Sequence, residues 1–208
     1  MYDYIKDGAE IYRQSFETIR READLARFEG ADKDLAIRLI HSCGMVDLAD
    51  DIVISSGAVE AGRVALAKNC SIVCDVTMVQ QGIIKRNLRQ DNPVLCNVGT
   101  DVAKANAEAF ETTRSAGGLE SLKGAIDGGI VVIGNAPTAL FYLLEMIDQL
   151  SATPALIIGC PVGFVGAVES KEALIAHTGG VPFISVRGRR GGSAIAAAAV
   201  NAIAAGLN

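Results

Sequence analysis

Five short, almost wholly apolar runs recur through the chain: Ser71–Val76, Val94–Val98, Ile130–Gly134, Ala155–Gly159 and Pro182–Val186. Gly, Pro, Asn or Asp residues bound them. A strand with one wet face alternates polar and apolar residues. A strand covered on both faces reads as a continuous apolar run. The segments between the runs are too long for hairpins and long enough for crossover helices. Five such β-α units predict an open parallel sheet with helices on both sides. Right-handed crossovers leave few topologies, and the order 2-1-3-4-5 is expected for the five strands.

The first 70 residues read differently. Ala9–Ala23, Asp32–Cys43 and Gly57–Lys68 carry helical patterns, and Asp51-Ile-Val-Ile-Ser55 is a candidate small strand. No Pro/Ser linker separates this part from the rest. The expected whole is one α/β domain over 1–208. A flavodoxin-like three-layer α/β/α core spans 71–208, and a mainly helical extension spans 1–70.

Composition narrows the functional classes. The 208 residues hold 19 Lys+Arg against 24 Asp+Glu, a net charge of −5. A nucleic-acid binder needs a basic stripe to displace counterions, so none is expected as a partner. Six Phe, four Tyr and no Trp leave little material for stacking bases. Half the residues are hydrophobic and 21% are charged, which excludes disorder. The most apolar stretch, 194–205, is short and Ala-rich, so no membrane span is expected. Five scattered cysteines, no C-x-x-C and two histidines predict reduced thiols in a cytoplasmic protein and no metal site.

In an open parallel sheet, ligands bind beyond the carboxyl ends of the strands, where strand order reverses. Here those ends are Asp75–Met78 and Gly134–Thr138. Pro137 fits a first helical turn, and the free amides there, with Thr138, offer an anion site. The alternative is a plain helix cap at Asn135. Arg187, Arg189 and Arg190 form a second candidate anion site, or a solvated turn. The turn Gly159-Cys-Pro-Val-Gly-Phe-Val-Gly166 lacks the G-x-G-x-x-G spacing, and no phosphate-loop motif occurs, so no nucleotide cofactor is expected. Arg38 and His41 are three apart on one helical face. His41 is the better candidate for proton transfer, since His177 lies in a polar turn.

The chain resembles the precorrin-8X methylmutase family, which includes cobalt-precorrin-8 methylmutases. The matching segments are Ile37-Arg-Leu-Ile-His-Ser-Cys-Gly-Met-Val46, Cys74-Asp-Val-Thr-Met-Val79, Thr113-Arg-Ser-Ala116 and Ile133-Gly-Asn-Ala-Pro-Thr-Ala-Leu-Phe141. Gly159–Gly166 with Glu169-Ser-Lys171, and Gly188-Arg-Arg-Gly-Gly-Ser193, complete the set. The resemblance implies a cobalamin-pathway isomerase with no cofactor. Its reaction moves a methyl group from C-11 to C-12 of precorrin-8X, giving hydrogenobyrinate. It implies His41 as proton donor and acceptor, Ser15, Arg38 and Arg114 as substrate contacts, and Thr77 and Asn135 in the same pocket. It also implies a homodimer. Met45, Met78 and Phe164 are candidates to cover the faces of the tetrapyrrole ring. The alternatives are the same shift on cobalt-precorrin-8 and a non-catalytic tetrapyrrole carrier.

Overall fold

The computed structural model describes residues 2–88, 90–177 and 179–205. In chain order the helices are α1 (Gly8–Glu22), α2 (Gly30–Cys43), α3 (Ala58–Ala67), α4 (Thr77–Gly82), α5 (Asp101–Ala109), α6 (Arg114–Glu120), α7 (Lys123–Ile126), α8 (Pro137–Asp148), α9 (Ala167–Ala176) and α10 (Ser193–Ala205). The strands are β1 (Ile52–Ile54), β2 (Ile72–Cys74), β3 (Val94–Leu95), β4 (Ile130–Ile133), β5 (Leu156–Gly159) and β6 (Phe183–Val186).

The sheet has six strands in the order β1-β6-β5-β4-β2-β3. This corrects the expected five-stranded, all-parallel sheet. β2 to β6 pair in parallel, and β1 adds an antiparallel edge against β6, with Ile52 opposite Val186 and Ile54 opposite Ile184. The physical reason is local. β1 has only three residues, and its one partner lies far along the chain, so neither length nor spacing reveals the pairing. Strand order reverses between β2 and β4, which are direct neighbours.

The strands are apolar on both faces because both faces are covered. Ile72, Cys74, Ile130, Val132, Leu156 and Ile158 point into one core, which takes in residues of α2, α3 and α10. Val73, Val131, Ile133 and Ile157 point into the other, shared with α6 and α8. Such alternation within a continuous apolar run is what a two-sided parallel sheet requires. The Ala-rich α10 crosses the first core and packs against α2 and α4. Small side chains allow this approach: a Cβ on Gly82 would stand 2.8 Å from the Ala197 Cβ.

α2 ends in a left-handed Gly44, at φ 72°, whose N–H bonds the Ile40 carbonyl. That glycine stops the helix just after His41. α1 lies beside α2 and buries only Ile19 of its fifteen residues.

Candidate active site

Ser15 on α1 and His41 on α2 face each other. The Ser15 Oγ stands 2.8 Å from the His41 Nδ1. Tyr12 and Phe16 flank the imidazole, with ring centroids at 4.9 and 5.3 Å. One turn before His41, Arg38 places its guanidinium 5.5 Å from the Phe16 centroid. His41 is half-buried and lines two clefts. One, of about 400 Å³, runs along α1 past Ile11, Ser15 and Ile19 to Gly44 and Val46. The other, of about 290 Å³, is bounded by Tyr12, Arg38, Gly82, Ile84, Ala198 and Asn201. Packing therefore fixes the ring, while its surroundings stay open to a ligand.

Thr77 and Asn135 follow the carboxyl ends of β2 and β4, and Arg114 starts α6. Thr77 opens α4 and hydrogen-bonds the Cys96 thiol, whose pKa burial pushes up. Thr113 caps α6 and lies 2.8 Å, oxygen to oxygen, from Thr138 in the first turn of α8. Arg114 follows Thr113 in α6 and Asn135 lies just before α8, and both are exposed. α4 starts at Thr77 and ends at Gly82, on the wall of the His41 cleft. At about 1.5 Å per residue, those helix ends are about 8 Å apart.

Two expectations are corrected. The amides at the start of α8 are not open to an anion, because the buried Asp75 carboxylate already holds them. The N–H groups of Gly134, Asn135 and Ala136 donate to it at 3.0, 2.9 and 2.7 Å. Burial pushes the Asp75 pKa up, and these three bonds pull against that shift. Nor does the arginine turn offer three cations. Arg187 pairs with Glu172. Arg190 pairs with Asp47 at 2.7 Å and Asp51 at 2.5 Å. Arg189 instead stands 5.2 Å over the exposed Phe164 ring.

Other candidates are placed as follows. His177 caps α9 and bonds Asp148 at 2.9 Å. Met78 and Phe164 are 73% and 85% exposed, free to cover a flat ligand, while Met45 is half-buried. Two features escaped the reading of the sequence. One is Asp75 as the internal partner of α8. The other is Lys171, fully buried, whose Nζ donates to the Arg190 carbonyl at 2.6 Å. Burial pushes its pKa down. Its sequence neighbours Glu169, Ser170 and Glu172 are polar, so nothing local told that it is buried. Among the described residues, no three His, Cys, Asp or Glu side chains gather closely enough to ligate a metal. No helix among them is long and apolar enough to cross a membrane.

Comparison with known proteins places this geometry. The family model described as precorrin-8X methylmutase matches residues 10–205. The chain is 56% identical over 204 residues to a precorrin-8X methylmutase of Pseudomonas aeruginosa, covering 98% of both proteins. It is 35% identical to a cobalt-precorrin-8 methylmutase of Leptospira interrogans, covering 94% of this chain and 92% of that one. A crystal structure of precorrin-8X methyl mutase from Thermus thermophilus superposes with a TM-score of 0.86 at 36% identity, covering 95% of each chain.

Proposed function

The chain belongs to the precorrin-8X methylmutase family, and on that premise we propose how its residues carry out the methyl shift of cobalamin biosynthesis. The enzyme is an isomerase. It moves a methyl group from C-11 to C-12 of precorrin-8X and gives hydrogenobyrinate. The observation that carries the catalytic assignment is His41, which opens on two clefts while Ser15 holds one of its ring nitrogens.

A charged imidazole has N–H at both nitrogens. The Ser15 oxygen then accepts from Nδ1–H, and Nε2–H is left to face the ligand. His41 lends that proton to the conjugated ring, which redistributes its π electrons. The methyl carbon breaks its bond to C-11 and forms one to C-12. The proton returns to Nε2, so no atom is gained or lost. A positioned acid contributes about 10²–10⁴-fold. The rest of the barrier falls because the site binds the rearranging ring better than the substrate. Arg38 and Arg114 meet ring carboxylates, and Thr77 and Asn135 line the same pocket from the far end of α4.

The site is completed in a homodimer. A tetrapyrrole is larger than the 400 Å³ cleft beside His41, and clefts that enclose a drug-sized ligand reach about 1,000 Å³. α1 meanwhile leaves Ile11 about half exposed along that cleft and Tyr12 about half exposed along the other. A second copy over this face would supply the missing wall. The extension and the flavodoxin-like core act as one domain, since α2 packs on α10. All five cysteines are free, as a reducing cytoplasm keeps them.

The test is His41→Ala, with Ser15 and Arg38 left in place. Turnover, read from the visible spectrum of the product, falls at least about 10²-fold while the product still binds. Near-normal turnover would remove His41 from the chemistry, and a silent wild type that still binds the ring would favour a carrier. The cobalt-bearing ring is the second reading, favoured by the Leptospira relative. The higher identity to the Pseudomonas enzyme favours the cobalt-free one.

A further inference from the structure

Three arginines from three helices line one cleft of about 230 Å³ on the other side of Arg38 from His41. They are Arg20 on α1, Arg38 on α2 and Arg63 on α3. Among the described residues, none of these three pairs with a carboxylate, although Arg13, Arg21, Arg187 and Arg190 all do. Asp34 is the one acidic residue on the cleft wall, and it stands beyond ion-pair reach of them.

Two further observations point to a ligand. The Arg63 Nε is buried and has no hydrogen-bond partner. A buried donor left unpaired is costly, and a charged one more so. Arg20 and Arg38 also flank one ring, with their guanidinium carbons 6.0 and 5.5 Å from the Phe16 centroid. Both charges border the same cleft, and an anion seated there would meet them together. Phe16 in turn touches the His41 ring.

We propose that Arg20, Arg38 and Arg63 form an anion site that takes one carboxylate arm of the substrate, a reading that rests on the function proposed above. The cleft is too small for the macrocycle and large enough for an acetate or propionate arm. The guanidinium fork matches a carboxylate with two parallel bonds. Arg38 borders both this cleft and that of His41. An arm anchored here fixes how the ring lies over the imidazole.

The experiment uses Arg63→Met and Arg63→Lys, with Arg21→Met as a control that removes a nearby charge already paired with Glu22. For Arg63→Met, KM for precorrin-8X rises about tenfold, the loss of one charge-assisted bond, with kcat nearly unchanged. Arg63→Lys recovers part of that loss, and Arg21→Met matches the wild type. Citrate at constant ionic strength serves as a carboxylate probe independent of turnover. It raises the melting temperature of the wild type and not of Arg63→Met. If Arg63→Met does not fold, Arg20→Met, at an exposed position, takes its place. An equal citrate shift in wild type and variant overturns the site. Protection by inorganic phosphate with unchanged KM marks a free-anion site and overturns the substrate arm. Wild-type protein that responds to citrate but never converts the macrocycle overturns the functional reading and the substrate arm together, while the anion site stands.

Discussion

At the switch point the start of α8 is filled by the protein's own carboxylate. The face built by α1 and α2 is the opposite case. There an imidazole opens on two clefts, and three guanidinium groups stand without carboxylates. Open parallel sheets ordinarily bind ligands at the switch point, where free amides attract anions. Here Asp75 satisfies those amides from inside. Three guanidinium groups without carboxylates, those of Arg20, Arg38 and Arg63, are instead on side chains of the extension. The lesson is that the sheet's own carboxylate closes the usual ligand position, while the added helices hold the open clefts.

Asp75→Ala gives the largest expected effect on that comparison. It leaves three N–H groups without their acceptor and lowers stability by at least about 1–3 kcal/mol, the cost of one buried donor left unpaired. Asp75→Asn keeps the shape and one good acceptor, so its loss is smaller. Urea unfolding measures both. The folded Asp75→Asn protein should keep its kcat. A kcat that collapses while stability holds would mean that Asp75 belongs to the chemistry, and the contrast between the regions would fail.

Much of the sheet was legible because burial on both faces writes itself locally, as continuous runs such as Ile130-Val-Val-Ile133. The edge strand β1 was visible as an apolar run, but its pairing was not, since β6 lies at the other end of the chain. The same limit governs the site. Arg38 and His41 share a helical face and could be paired by spacing. Ser15 could not, because 26 residues and a helix break separate it from His41; only the family resemblance brought it in. Arg20 and Arg63 had no signal at all, because three helices must pack before their guanidinium groups meet. Asp75 was seen at the end of its strand, yet nothing local told that it reaches the α8 amides.

Alkaline pH sharpens the contrast through the buried thiols beside the closed region. Cys74 precedes Asp75, and Cys160 follows β5. Burial pushes the Cys160 thiol up to about 12 and also pushes Cys74 up, both from an ordinary value of 9.0. Below pH 9 folded and unfolded chains both hold these protons. Above it the unfolded chain releases them and the folded chain does not, so stability is lost as pH rises from 9 toward 12. Each thiol contributes up to about 1.4 kcal/mol per pH unit in that window. Burial also raises Cys70, Cys96 and Tyr142, which act in the same sense, while Lys171, whose pKa burial lowers, acts in the opposite one. Urea unfolding at pH 8 and pH 10 should give the lower stability at pH 10, and Cys160→Ala should narrow the difference. A rise in stability at pH 10 would mean that the thiols are not held protonated by the fold.

The smallest expected effect lies at Ser15, and it tests whether the open region is built for proton transfer. Ser15 Oγ is the one polar contact to the His41 ring among the described residues. Tyr12 and Phe16 hold the ring plane but do not tell one nitrogen from the other. Without the hydroxyl the imidazole keeps its place and loses its preference for presenting Nε2 to the ligand. Ser15→Ala should therefore lower kcat about three- to tenfold, the worth of one ordinary hydrogen bond, with little change in melting temperature. Because Ser15 is also a proposed substrate contact, the division between kcat and KM is informative. A rise in KM alone makes it a binding residue. A fall in kcat together with a shift in the pH profile of kcat makes it the group that orients His41. A loss of melting temperature with unchanged kinetics would reduce the contact to packing between α1 and α2, and the extension would then owe its chemistry to His41 and the arginines alone.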